Sequence, residues 1–254
     1  MKNRAYVLVA AVLLFPGLGA GQDQNDGLAY VYATYFNCDP TAEARADEII
    51  TRNFKPHYDL AVEQGNLQSW SWLAHFIGGS WRRALVLTAD NMSDLLDSSG
   101  ALGEIIEEAT PEAGRAFTEV CPTHVDYIWE SSSDLRSGRL GEERGAAGFS
   151  SYFTCDTARE ERADELVAEV FAPIYSKYAG PDGLVSWVWL KHNVGGERRR
   201  LLAMTGSDHK ALMEVRQAII DDIGTRRLER ARRDFSEICH THEDYMWDIV
   251  VETP

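Results

Sequence analysis

Tyr35-Phe36-Asn37-Cys38-Asp39 is repeated further along the 254-residue chain as Tyr152-Phe153-Thr154-Cys155-Asp156. The same displacement carries Arg45-Ala46-Asp47-Glu48 onto Arg162-Ala163-Asp164-Glu165, and Ser69-Trp70-Ser71-Trp72-Leu73 onto Ser186-Trp187-Val188-Trp189-Leu190. It also matches His75, Gly78, Gly79, Arg82 and Arg83 to His192, Gly195, Gly196, Arg199 and Arg200. After a single inserted residue, Cys121, His124, Asp126, Tyr127 and Trp129 meet Cys239, His242, Asp244, Tyr245 and Trp247. A sequence that states one unit twice specifies two copies of one structure.

Each unit opens with an aromatic and β-branched segment, Ala29 to Phe36 and Phe149 to Thr154, which predicts a strand. Asp39-Pro40 then supplies a cap and a first-turn proline ahead of helix formers from Ala42 to Asn53. Pro56 and Pro173, in a shared Phe-x-Pro-x-Tyr pattern, are expected to kink or restart that helix. Gln68 to Phe76 and Arg82 to Ala89 read as two strands turning at Gly78-Gly79, as Gly195-Gly196 does later. Asp94 to Glu108 and Glu112 to Val120 form a second helical region broken near Pro111, and Thr123 to Glu130 is a last strand. The order β-α-β-β-α-β is the ferredoxin-like split unit. In its usual strand order the first and last strands are antiparallel neighbours, so Cys38 lies beside Cys121 and, in the second copy, Cys155 beside Cys239. The boundaries are then 28–130 for the first repeat, 131–148 for a Ser/Gly/charged linker and 149–252 for the second repeat.

A four-stranded sheet with helices on one face leaves its other face bare, and two such units can cover each other. By its element order and duplication, which span nearly all of the chain after the leader, the sequence resembles the dimeric α+β barrel superfamily. The fold expected is α+β: two ferredoxin-like repeats packed sheet to sheet as a pseudo-dimeric α+β barrel within one chain. Relatives implied by that resemblance include cofactor-independent oxygenases, haem-handling proteins and small lyases or isomerases. Haem is the one cofactor it suggests, with His75 and His192 as the residues to test; no other cofactor is predicted.

Lys2 and Arg4 precede an apolar run from Ala5 to Phe15, followed by Pro16-Gly17-Leu18-Gly19-Ala20. This reads as a secretory signal peptide over residues 1–20. The run falls short of the roughly 20 residues that span a bilayer, so no membrane span is expected. Four cysteines in an exported chain read as two disulfides in an oxidising compartment, periplasmic or extracellular. The formal charge of −15, more negative once Lys2 and Arg4 are removed, repels phosphate backbones and argues against a nucleic-acid partner. Arg198-Arg199-Arg200 and the stretch from Arg226 to Arg233 are read as strand-end and helix-surface charges. Asn91-Met92-Ser93 fits a glycan acceptor if the host glycosylates exported proteins.

No hydrolase elbow, phosphate loop, zinc-protease helix or Cys-x-x-Cys pair is present. The strongest constellation is the polar set shared by both copies. Period-two alternation puts His124 and Asp126 on one face of the last strand, with Tyr127 and Trp129 on the other. On the second strand Trp70 and Trp72 share a face, opposite Ser69, Ser71, Leu73 and His75. One reading sends His75, His124, Asp126 and Arg83, with His192, His242, Asp244 and Arg200, toward a ligand cavity inside the barrel. There an imidazole can act near neutral pH and a carboxylate can orient it, while an arginine can hold a ligand carboxylate. The plainer alternative is that both cores need the same packing, with each arginine paired structurally to Asp126 or Asp244. The strand tryptophans are read as core against the helices. The Cys-x-x-His spacings at Cys121 and Cys239 match a metal motif in form, but export favours disulfides, so no metal is predicted.

The function expected is an exported soluble protein that binds a small apolar or aromatic ligand in a barrel lumen, running as a monomer because it is its own pseudo-dimer. An oxygenase-type enzyme, cofactor-independent or haem-handling and using cavity His and Asp, is the first alternative; a structural or protein-interaction module is the second.

Overall fold

The computed structural model describes residues 27–138, 140–141, 144–180 and 183–253, and the predicted signal peptide lies outside them. The first half runs β1 (Ala29–Asn37), α1 (Glu43–Ile49), α2 (Lys55–Glu63), β2 (Ser69–Gly78), β3 (Arg83–Ala89), α3 (Met92–Ala109), α4 (Pro111–Val120) and β4 (Thr123–Ser131). The second repeats it: β5 (Ala147–Thr154), α5 (Glu160–Leu166), α6 (Ala172–Lys177), β6 (Ser186–Gly195), β7 (Arg200–Gly206), α7 (His209–Ile223), α8 (Glu229–Ile238) and β8 (Thr241–Glu252).

The expected break at Pro56 and Pro173 takes a specific form. A π-helical turn, Ile50–Phe54 or Val167–Phe171, separates the two helices, and the proline sits in the first turn of the second one. Proline has no N–H for the carbonyl four residues back, and a wider turn just ahead of it absorbs the defect. The cap expected from Asp39-Pro40 is not made: α1 begins only at Glu43, behind Ala42, and Asp39 Oδ1 accepts from the Thr41 N–H at 2.8 Å in the turn ahead of it, whereas α3 and α7 carry side-chain caps. Asn91 Oδ1 accepts from the Asp94 N–H at 2.9 Å, and Asp208 Oδ1 accepts from the Ala211 N–H at 2.9 Å. The Asn of the glycan-type motif is therefore the N-cap of α3.

All strand pairs are antiparallel, and they close into a barrel in the order β1-β3-β2-β8-β5-β7-β6-β4. Each half contributes a four-stranded ferredoxin-like sheet, and the halves do more than face each other. Their edges are hydrogen-bonded, β2 to β8 and β4 to β6, so closure leaves neither sheet with an open edge. At these seams the backbones come very near. Gly78 has φ +131 and a Cβ there would sit 2.4 Å from Asp244 O; Gly195 has φ +130 and would meet Asp126 O at 2.5 Å.

Cys38–Cys121 and Cys155–Cys239 are disulfides, one per half, tying the end of the first strand to the start of the last. Sequence separations of 83 and 84 residues make each worth about 4.5 kcal/mol in the chain-entropy picture. All four cysteines are thereby consumed, so the Cys-x-x-His spacings have no thiolate to offer a metal.

Three apolar layers result. Two lie between sheet and helices and hold Trp70, Trp72, Ile49, Leu95 and Phe54 in one half and Trp187, Trp189, Leu166, Leu212 and Phe171 in the other. The third fills the barrel and is built from alternate strand residues, among them Val31, Ala33, Tyr35, Trp129, Leu190 and Trp247. The strand tryptophans of β2 and β6 are thus helix-facing core, as their register requires.

Candidate functional site

On β1 the alternation turns Val31, Ala33 and Tyr35 into the barrel; on β4 it turns Tyr127 and Trp129 inward, and on β8 Tyr245 and Trp247. Rings close one part of the lumen. Trp81 stacks on Tyr35 at 4.3 Å and on Tyr245 at 5.1 Å between centroids, and Tyr152 meets Tyr35 and Trp81 edge-on. The first half supplies Trp81 to this plug. The matching residue of the second half is Arg198, which turns instead to Glu243 at 2.7 Å.

Beyond the plug is a cavity of about 130 Å³. Its walls are largely aliphatic and aromatic, including Val31, Leu73, Val86, Leu190, Leu201 and Met204. A belt of hydroxyls adds polarity. Ser69 and Thr88 pair at 2.6 Å and their counterparts Ser186 and Thr205 at 2.7 Å. Described residues of the connection between β4 and β5 border it: Ser137, Leu140, Gly141 and Arg144 line the cavity. Among the described lining residues Arg144 carries the charge, and its Nη2 donates to Ser69 Oγ. Burial pushes Tyr35 and Tyr152 far above the usual phenol value, so both are neutral in the lumen.

None of the eight residues expected in the cavity lines it. Arg83 and Arg200 point into the helix layer. Arg83 holds Asp47 through Nε and Nη2, each at 2.7 Å, and Glu43 at 3.1 Å; Arg200 holds Asp164 and Glu160 in the same way. The ion pair anticipated with Asp126 or Asp244 is therefore made with α1 and α5 instead. Asp47 also accepts from Trp72 Nε1 at 2.7 Å and Asp164 from Trp189 Nε1 at 2.8 Å, which binds helix, strand and indole together. His75 belongs to the same clasp. Its Nδ1 accepts from Arg82 at 2.7 Å, and Arg82 reaches Glu43; His192, Arg199 and Glu160 repeat the arrangement. Burial first, then the neighbouring guanidinium, lowers the pKa of both imidazoles.

His124 and Asp126, 3.3 Å apart, are half-exposed on the outer face of β4. His242 and Asp244 lie likewise on β8, where Asp244 accepts from Ser151 at 2.6 Å. The physical reason is register. One face of β4 had to take the dry interior, and Tyr127 and Trp129 gain far more from it than a His and an Asp would. Alternation separates the two faces of β4, and the one that shares the lumen with Ser71 and Leu73 is that of Tyr127 and Trp129, not that of His124 and Asp126. Arg144 was not legible in the sequence because it lies outside the repeat, in a polar stretch read as linker, with no periodicity to mark it.

A haem group does not fit this lumen. A cavity near 150 Å³ takes one benzene ring, and a tetrapyrrole needs several times the volume seen here. His75 and His192, the imidazoles suggested as its ligands, are outside the lining and engaged with arginine.

Comparison with known proteins places the fold. A monooxygenase-like protein from Fusobacterium nucleatum aligns with a TM-score of 0.60 at 6% identity, over 89% of this chain and 94% of its own. One from Lactobacillus acidophilus gives 0.58 at 7%, over 89% and 95%. A Dyp-type peroxidase-like protein from Shewanella oneidensis gives 0.52 at 8%, over 88% and 93%. These are dimeric α+β barrel proteins, and the likeness is one of fold. No protein-family model matches the chain, and no curated protein matches it either.

Proposed function

We propose that this chain is an exported, single-chain barrel that binds a small, largely apolar molecule of about one ring in its lumen. The observation that carries the reading is the cavity of about 130 Å³, walled by aliphatic and aromatic side chains with a few hydroxyls at one side. Apolar walls with sparse polar groups are how small-molecule sites are built. Two disulfides are compatible with export, and no helix among the described residues is long and apolar enough to cross a membrane. Closure of all eight strands within one chain supports a monomer, since no strand edge is left for a second copy; light scattering on the eluted protein checks the mass.

Binding leads over catalysis because the described lining residues include no carboxylate or imidazole to move a proton. The test is a thermal-shift screen with one-ring and short-chain probes against wild type and Ala33→Leu, which fills a buried lining position. Probes that stabilise the wild type and lose their effect in the filled variant are the expected result. A flat response from the wild type across the whole panel overturns the proposal.

A further inference from the structure

Among the described residues Arg144 is the charged member of the lining, and its surroundings leave it under-satisfied. Its Nη2 is held by Ser69, but its Nη1 is buried and meets no acceptor among the described residues. Gly141, at φ +84, lies over the head group so closely that a Cβ there would sit 2.5 Å from Nη2 and 2.0 Å from Ser69 Oγ. Burial lowers the Arg144 pKa to about 10, which still leaves it protonated at neutral pH. Among the described residues Glu252 is the carboxylate that acts on it, through space, and burial raises that carboxyl against the arginine's pull. Three indoles on the lining are in the same position: the N–H groups of Trp129, Trp187 and Trp247 are buried without a hydrogen-bond acceptor among the described residues.

A buried donor without an acceptor is costly, and a buried charge more so. Four of them on the wall of one apolar cavity, one of them charged, ask for a molecule that brings acceptor oxygens and a negative charge. The arrangement is also one-sided. The position matching Arg144 ahead of the first repeat is Gly27, so among the described residues the lining carries a single cation. One guanidinium calls for one anionic end, and the planar fork suits a carboxylate.

We infer that the lumen binds a short-chain or single-ring monocarboxylate, its carboxylate on Arg144 and its apolar body against Val31, Leu190 and Leu201. This rests on the lumen being a ligand site, and the experiment separates the two claims. Tryptophan fluorescence, with Trp129 and Trp247 on the cavity wall, follows titration of the wild type with benzoate, benzamide, butyrate and butyramide. Each acid is expected to bind about tenfold or more tightly than its amide, the scale of a charge-assisted hydrogen bond. Arg144→Gln should remove most of that preference, weakening benzoate far more than benzamide, and Arg144→Lys should restore part of it. Equal affinities for acid and amide in the wild type, a comparison that needs no variant, overturn the carboxylate and leave the lumen site standing. Benzoate binding that survives Arg144→Gln unchanged overturns the role of Arg144. Failure of all four probes to bind the wild type overturns the lumen site and this inference with it.

Discussion

The two clasps, Asp47–Arg83–Glu43 and Asp164–Arg200–Glu160, show how a single carboxylate can be structural for several elements at once. Arg83 and Arg200 keep only 5% side-chain exposure, so each buried guanidinium depends on its partners. Asp47→Ala removes the two-pronged acceptor and the indole acceptor together, and should cost about 3 kcal/mol, the lower end for breaking a buried pair. Asp164→Ala should cost about the same, because the geometry is repeated. Urea denaturation measures both, and a loss under about 1 kcal/mol would mean the pair behaves like an exposed one. The clasps also give the fold an acid limit. Burial and the adjacent arginine hold His75 and His192 below the ordinary value of 6.5, so the unfolded chain binds protons that the folded one refuses. Their contribution is full above that value and is lost as pH falls below it. Glu43 and Glu160 extend the loss further down. Burial raises their carboxyls, but hydrogen bonds and charge from Arg82 and Arg83, or Arg199 and Arg200, outweigh it and hold them below 4.5. Their stabilisation is present above that value and disappears as pH drops through their folded-state range. Melting temperature followed from about pH 8 to pH 5 should fall with acid, and His75→Gln with His192→Gln should flatten the upper part of the slope. An unchanged slope between about pH 7 and pH 5.5 in that double variant assigns the effect to other groups.

At the scale of elements, the seams between the halves depend on glycine. Gly78 on β2 and Gly195 on β6 adopt positive φ where a partner strand's carbonyl would collide with any Cβ. Gly78→Ala and Gly195→Ala should each destabilise by roughly 1–3 kcal/mol from backbone strain alone. Amide hydrogen exchange should speed up along β2–β8 for the first and along β4–β6 for the second, and protection unchanged at the mutated seam would refute the close-approach account. These glycines were legible in the sequence as hairpin turns, and so were the element order, the disulfides and the helix-facing tryptophans. Each of those rests on local signals: a Gly-Gly pair, a proline, a period of two, a cysteine matched in both copies. The edge-to-edge closure was less visible, because which strand of one half meets which strand of the other is a long-range choice. The inward face of β4 and β8 was missed for a related reason. Alternation separates His124 from Trp129 without saying which side is dry, and that is decided by the barrel as a whole. Arg144 was missed because a residue that occurs once, in a stretch without a repeat or a period, leaves no pattern to read.

For the whole molecule, the consequence of closing two unequal halves around one lumen is that its volume is fixed by residues from both. Leu201 on β7 and Ala33 on β1 stand on the same wall system, one large and one small, and both are buried. Leu201→Ala should enlarge the cavity and cost about 3 kcal/mol, within the range for a core leucine. The added space should admit probes that the native lumen of about 130 Å³ is too small to take. Naphthoate, with two fused rings, is the direct test: weak or absent binding to the wild type, clear binding to Leu201→Ala, with benzoate losing affinity as its fit loosens. Ala33→Leu works in the opposite sense. It places extra carbon atoms in the lumen, should cost about 1–3 kcal/mol through overpacking, and should abolish binding of every probe while the disulfide-clasped fold persists. Circular dichroism of the folded variants separates loss of site from loss of structure. If both variants bind the same probes as the wild type with the same order of affinity, the ligands are seated somewhere other than inside the barrel. The size of the lumen then has no bearing on what the protein selects.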